Sequence, residues 1–156
     1  RPLRVYVVSA AGGPARPVSP DGGDYPSWSP DGRLISFAVW NEDSNPTQGT
    51  WIVASDGGEA RKVSDHPTRA VWNPITGGLL QLRRSAGGEA LELWSAEVGA
   101  WRWERRSTLD LGARPPIQVE FLPLSVDPRS GSLVINRRSG TGRLVVFDGI
   151  APERWR

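Results

Sequence analysis

Two stretches of this chain end alike forty-five residues apart: VYVVSAAGGPARPVS over 5–19 and TWIVASDGGEARKVS over 50–64. Laying Gly12-Gly13 on Gly57-Gly58 places Val8 on Val53, Arg16 on Arg61, Val18 on Val63 and Ser19 on Ser64. A fixed period of this kind means one supersecondary unit laid down repeatedly, each copy burying its apolar face against the next. Within the unit, short runs of alternating apolar and polar residues are broken by Gly and Pro, the pattern of four short antiparallel strands. Units of that sort are the blades of a β-propeller. No segment sustains an apolar period of 3.6 residues, so the sequence predicts an all-β chain with no helix beyond about two turns.

Strand by strand, the unit over 20–64 reads as A at Tyr25 to Ser29, B at Leu34 to Trp40, C at Thr50 to Ser55 and D at Ala60 to Ser64. Between A and B, Pro30 presets the turn, Asp31 can bond its own backbone and Gly32 accepts a left-handed conformation; Asp56-Gly57-Gly58 turns C into D. The next unit is degenerate, with AVWNP, GLLQLRRS, LELWSAE and WRWERRS as its strands and NPITGG as its first turn. The last supplies VEFLPLSVDP, SGSLVINRR and RLVVFDG, and APERWR begins its fourth strand. The sequence thus predicts a half blade over 1–19 (strands C and D), blades over 20–64 and 65–108, and a blade over 109–156 with an incomplete last strand, about 3.5 blades in all. Pro30, Pro74 and Pro128 mark the A–B turns at separations of 44 and 54 residues, which puts ten extra residues near Leu109 to Gln118. Since propellers have about 4–8 blades, and the chain opens at Arg1 in strand-like sequence, the reading is of a piece of a longer protein. The blades at its two ends would then show apolar residues such as Val5, Val7, Val145 and Phe147, and partners are expected: the remaining blades, another protein, or a second copy.

Composition narrows the function classes. Of the 19 basic residues only Lys62 is a lysine, and the net charge of +2 is spread along the chain rather than gathered on one surface, so nucleic-acid binding is not expected. No apolar run approaches the ~20 residues of a membrane-spanning helix. With no cysteine there is no disulfide, thiolate metal site or cysteine nucleophile.

WSPDGR (Trp28 to Arg33), followed about twenty residues on by WIVASDGGEARKVS (Trp51 to Ser64), resembles the TolB-type propeller repeat, a bacterial relative of the WD-repeat blade. That resemblance implies a propeller fold and a binding role. Such repeats occur in the periplasmic Tol-Pal component, in propellers gating prolyl-oligopeptidase-type enzymes, and in sensor domains of bacterial kinases and transcription regulators. An extracytoplasmic setting in a bacterium follows from the same resemblance. It implies no catalysis by this segment, and the expectation is a non-catalytic binding or scaffold module without cofactor or metal. The alternative is the gating propeller of a peptidase or another propeller enzyme. The order Ser-x-Asp-x-Gly-x-Thr-Trp of a sialidase-type aspartate box is not met by Ser29 to Arg33.

In a four-strand meander the A–B and C–D turns lie at one end and the B–C and D–A loops at the other. Here the second set is long and polar, and binding residues concentrate in such loops on a rigid scaffold. The candidate ligand or partner set is therefore Tyr25, Asn41, Glu42, Asp43, Asp65, His66 and Arg69. His66, the single histidine, stands ahead of Pro67 with no GxSxG elbow in the chain, which favours a loop histidine over a triad member. Glu42, Asp43 and Asp65 lack the alternating spacing of a calcium loop. Among the aromatic residues, Trp28 and Trp72 stand two before Pro30 and Pro74 and are expected in the core, with Trp51 and Trp94 between blades. Trp101 and Trp103, alternating with Arg102 and Glu104, are expected on one face of an outer strand and partly exposed. The doublets Arg83-Arg84, Arg105-Arg106 and Arg137-Arg138 read as solvated strand ends that discourage strand addition.

Overall fold

The computed structural model describes residues 3–40, 46–109, 124–137 and 143–147. Among the described residues, thirteen strands, all antiparallel to their neighbours, fall into sheets of two, four, four and three, distributed over two units, Arg1–Pro67 and Thr68–Arg156.

In the first unit β1 (Tyr6–Val7) pairs with β2 (Arg16–Pro17), and β3 (Gly23–Trp28), β4 (Leu34–Val39), β5 (Gly49–Ala54) and β6 (Arg61–Ser64) form a meander in chain order. The repeat is kept at the level of hydrogen-bond register. Tyr6 opposes Pro17 and Val7 opposes Arg16, while Trp51 opposes Lys62 and Ile52 opposes Arg61, the same pairs displaced by the period. The turn glycines agree as well: Gly12 and Gly13 have φ of 91° and 116°, Gly57 and Gly58 of 108° and 115°.

Alternation along β4 sends Ile35, Phe37 and Val39 to the face that meets Val5 and Val18, and their cross-strand partners Val53 and Trp51 follow them. Fully burying one such side chain stabilises by about 1.5–3 kcal/mol, so this inter-sheet layer is a main support of the unit. Parity also corrects the expectation that Val5 and Val7 lie open: Val5 is buried and Val7 packs against the core, whereas Tyr6 and Val8, pointing the other way, are exposed. Val145 and Phe147 lie in a strand whose side chains are outside the described residues.

In the second unit β7 (Ala70–Trp72), β8 (Leu79–Arg84), β9 (Leu91–Ala96) and β10 (Trp103–Leu109) repeat the meander, and β11 (Leu124–Val126), β12 (Leu133–Arg137) and β13 (Arg143–Phe147) form a three-stranded sheet. Leu80, Leu82, Leu91, Leu93 and Leu109 of the first sheet pack with Leu124, Leu133 and Ile135 of the second.

The A–B turns share one mechanism. The residue before proline caps the turn with its side chain: the Ser29 hydroxyl accepts from Leu34 N at 2.8 Å, Asn73 Oδ1 accepts from Ile75 N at 2.9 Å, and Asp127 Oδ1 accepts from Arg129 N at 3.1 Å. The first turn closes with Gly32 N donating to the Ser29 carbonyl at 2.9 Å. The other two are one residue longer and close from Gly77 to Asn73 and from Gly131 to Asp127. The Ser29 hydroxyl also donates to Asp31, which holds that carboxyl below its usual range, and the Ser130 hydroxyl does the same for Asp127.

Trp28 and Trp72, equivalent in sequence and in register, differ in environment. Trp72 is 6% exposed and meets the ring of Trp101 edge-on at 6.4 Å between centroids. Trp28 is 52% exposed, which corrects its assignment to the core. In its own sheet the C–D turn is Asp56-Gly57-Gly58-Glu59, which offers no ring in the place of Trp101. Trp101 reaches Trp72 by leaving the strand: its φ is 50°, a left-handed conformation that non-glycine residues seldom adopt.

Candidate functional site

The loop residues singled out from sequence do not form one described cluster. Asn41, Glu42 and Asp43 lie outside the described residues. Asp65 is exposed and ion-paired with Lys62 at 2.7 Å, the bond that lowers its carboxyl pKa, and Lys62 also donates to the Pro46 carbonyl at 2.9 Å. His66 is exposed; its carbonyl accepts from the Thr50 hydroxyl at 2.9 Å and its amide donates to the Ser64 hydroxyl at 3.1 Å. These bonds give the stretch over 64–66 a role in anchoring the D–A connection. Tyr25 occupies the bulge where β3 slips against β4, with φ of 51° and its amide donating to Asp24 Oδ1 at 2.7 Å. Arg69 belongs to the second unit and is half-buried. Among the described residues no group of three His, Asp or Glu could hold a metal ion.

What the first unit does build is a cleft of about 380 Å³ between the β1–β2 sheet and the β5–β6 edge of the meander. Pro17, Val18 and Pro20 form one wall, and Trp51, Thr47 and Ala60 the other, with Arg4 at the rim. Trp51 is fixed in place because its indole N–H donates to the Thr47 carbonyl at 2.8 Å, leaving a ring that borders both core and cleft. Arg4 is ion-paired with Asp21, which raises the guanidinium further above its usual pKa. An apolar ring beside a permanently charged, partly exposed guanidinium suits a ligand with an apolar body and an anionic end. In the sequence, Trp51 reads as inter-blade packing. Its position at the margin of that packing depends on how far β2 reaches over β5, which no local pattern reports.

The second unit holds a buried polar network centred on Arg83. Arg83 is 6% exposed, correcting its reading as a solvated strand end. Its guanidinium carbon lies 4.6 Å from the ring centroid of Trp94 and 4.6 Å from that of Trp103, so the cation is clasped between two indoles. Both Nε and Nη2 donate to Gln81 Oε1, at 3.1 and 2.8 Å, and Gln81 in turn donates to the Thr68 carbonyl at 3.0 Å. Glu92, directly across the ladder from Arg83, accepts from Trp94 Nε1 at 2.9 Å and from Arg105 at 2.8 Å. Burial pushes the Arg83 pKa down to about 10, the Glu92 charge opposing that shift, and the group stays cationic at neutral pH. Trp103 is thus the lid of this network, and Trp101 the cover of Trp72, so the two do not form an open aromatic platform. The bonds and ring contacts named here join β8, β9 and β10 of the second unit to one another and to Thr68.

Four-stranded meanders in the order A to D, joined by proline-led turns and repeated with conserved register, define the fold as that of TolB-type β-propellers, of which this chain presents a part. Comparison with known proteins agrees. Oligogalacturonate lyase in complex with manganese superimposes with a TM-score of 0.66 at 16% identity, over 88% of this chain and 36% of the lyase. TolB from Acinetobacter baumannii superimposes with a TM-score of 0.64 at 12% identity, over 93% of this chain and 35% of TolB. In sequence, 70 residues are 33% identical to the uncharacterized peptidase YuxL of Bacillus subtilis (strain 168), covering 43% of this chain and 10% of the peptidase. No family profile matches the chain. The chain therefore spans about a third of the two solved proteins and a tenth of the peptidase.

Proposed function

We propose that this chain is a non-catalytic binding module within a larger bacterial propeller protein, divided at 1–19, 20–64, 65–108 and 109–156 into a half blade and three further blades. Its ligand is a protein segment that carries an apolar side chain next to a carboxylate. The observation that carries this reading is the cleft of the first unit, where the clamped ring of Trp51 stands with Arg4 and two prolines around about 380 Å³. That volume lies within the usual range of ligand pockets, about 300–1,000 Å³. The ring supplies stacking area at little entropic cost, and the guanidinium fixes the direction of the bound chain. Titrating the 156-residue protein with acetyl-Pro-Leu-Asp and acetyl-Pro-Leu-Asn, followed by amide and indole shifts in NMR, tests it. Saturable shifts at Trp51 that favour the aspartate peptide and disappear in Arg4→Ala are expected. Equal response to both peptides, or shifts that spare Trp51, would overturn the assignment, and cleavage of either peptide would overturn the non-catalytic reading.

A second reading has one observation behind it, the 70-residue similarity to a peptidase. In that reading the propeller gates a hydrolase domain on the same polypeptide. A parent protein that cleaves short peptides but not folded proteins, and loses this discrimination when residues 1–156 are deleted, would establish the gate.

A further inference from the structure

The indole that walls the cleft of the first unit is held by a backbone carbonyl, and that stretch of backbone is held in turn by the only lysine of the chain. We propose that Lys62 is the positioning residue of the cleft: its ammonium pins residues 46–47, and through them sets the pose in which Trp51 meets a ligand. The inference deepens the reading of the cleft given above and rests on it.

The relay begins in the β5–β6 ladder. Trp51 and Lys62 stand directly opposite each other and so share a face of the sheet. They meet because the register slips there: Thr50 pairs with Ser64 and Trp51 with Lys62, and the buried Val63 is the extra residue between them. A bulge of this kind re-aims a side chain. The lysine stem then runs back over Gly49, where a Cβ would stand 2.7 Å from Cε, and Nζ donates to the Pro46 carbonyl at 2.9 Å. One residue on, the Thr47 carbonyl accepts from the Trp51 indole N–H at 2.8 Å. The two acceptors are consecutive carbonyls joined by one planar peptide unit, so fixing the first restricts the second. On its outer side Lys62 is ion-paired with Asp65 at 2.7 Å, but that carboxylate is exposed and its pull is screened, which leaves the Pro46 carbonyl as the bond that matters for the ring.

The second unit builds the same device from other atoms. Phe37 and Gln81 both stand seven residues after a turn proline, and they oppose Trp51 and Trp94, so the two indoles are equivalent. Arg105 lies across the ladder from Trp94 and donates at 2.8 Å to Glu92, the carboxylate that accepts the Trp94 indole N–H at 2.9 Å. In both units the cation opposite the indole holds the indole's acceptor, directly in the second and across one peptide unit in the first. The surroundings differ: Trp94 is covered by Arg83, whereas Trp51 borders the cleft. A device that fixes a structural ring in one blade presents a ring to a ligand in the other.

The test compares two variants of the 156-residue protein: Lys62→Met, which keeps the stem and loses the ammonium, and Lys62→Arg, which keeps a cationic donor. In the free protein, Lys62→Met should speed hydrogen exchange of the Trp51 indole N–H, assigned from Trp51→Phe, by about fivefold, the worth of one net hydrogen bond. Exchange of the Phe37 amide in the same sheet should not change. Lys62→Met should also weaken acetyl-Pro-Leu-Asp and acetyl-Pro-Leu-Asn by one common factor of about five, because the pre-set ring contributes equally to both. The preference for aspartate, which Arg4 sets, should survive, and Lys62→Arg should restore both readouts. Unchanged Trp51 exchange in Lys62→Met would overturn the proposal. Faster exchange of Phe37 alongside Trp51 would do the same, by showing a loss of general stability, and so would a lost aspartate preference, by showing that Lys62 meets the ligand through its charge. If neither peptide shifts the unsubstituted protein while Lys62→Met still frees the indole, the cleft reading fails and the hold of Lys62 on Trp51 stands.

Discussion

Trp28 and Trp72 provide a controlled comparison, since both stand two residues before a turn proline and pair with the residue five after that proline, Ile35 or Leu79. Only their cover differs. Trp72 is 94% buried by difference from its 6% exposure, and it meets Trp101 edge-on. Truncating a buried large aromatic costs about 3–5 kcal/mol, and Trp72→Ala should fall in that range. Trp28 is 52% exposed, so scaling by buried area leaves about 2 kcal/mol for Trp28→Ala. With a urea slope of about 2 kcal/mol per molar, the unfolding midpoint should drop by about 2 M for Trp72→Ala and about 1 M for Trp28→Ala. A double-mutant cycle of Trp72→Ala with Trp101→Ala should return about 0.5–1.5 kcal/mol, the worth of an edge-to-face pair beyond its area. Far-UV circular dichroism against urea is the assay. Equal losses at the two positions, or a cycle that closes to zero, would show that repeat position and not local cover sets the contribution of these rings.

Three further outcomes follow from the packing. Glu92 is held below the ordinary glutamate pKa by its bonds to Arg105 and Trp94, so its contribution is fully present above the unfolded value of about 4.3 and is lost as pH falls through the lower folded value; in acid titrations monitored by urea unfolding, Glu92→Gln should flatten that part of the stability curve. Arg83→Lys keeps the charge but loses the planar fork that fits between Trp94 and Trp103 and bonds Gln81 twice, and should cost about 1–3 kcal/mol in the same assay, a neutral result refuting the clasp. Gly49 opens β5 at φ 144°, and a side chain there would run into the Ser64 carbonyl, so Gly49→Ala should lower the melting temperature by several degrees, whereas Gly58→Ala, with open space around it, should cost less.

The parts of the fold that were legible in the sequence are those decided within a few residues. Ser29-Pro30-Asp31-Gly32, Asn73-Pro74 and Asp127-Pro128 each carry the cap, the fixed φ and the glycine that a turn requires, so the strands on either side could be placed by reading outward from them. The period of 45 residues carried further, because two hairpins that share their turn glycines and the residues that follow them share a register, as β1–β2 and β5–β6 do. The candidate site was less legible, for a physical reason visible in Arg83. Its doublet Arg83-Arg84 ends a strand and resembles a charged edge; what buries the first and leaves the second exposed is the meeting of three strands. Parity turns Arg83 to the side of Gln81, and the β8–β9 ladder places Glu92 opposite it. The β9–β10 ladder then sets Trp103 against Ala96, bringing its ring over a cation twenty residues earlier in the chain. The register of β10 slips between Arg105 and Ser107, so counting along the strand past that bulge gives the wrong face.

The same reasoning explains why Trp28 and Trp72 look alike in sequence and differ in the fold. Trp72 is covered because Trp101 steps out of its strand into a left-handed turn, and Trp28 is uncovered because the corresponding turn is built from two glycines. Cover supplied from a distance is not encoded beside the residue it protects. In a repeat protein this separates two properties of a single unit: the turns and registers belong to the unit, while the burial of its aromatic residues belongs to whatever the neighbouring sheet lays over them. On that argument Trp28 is the position in the first unit where adding a neighbour would change burial most, and the solvent protection of its indole is the direct measure of whether that neighbour has arrived.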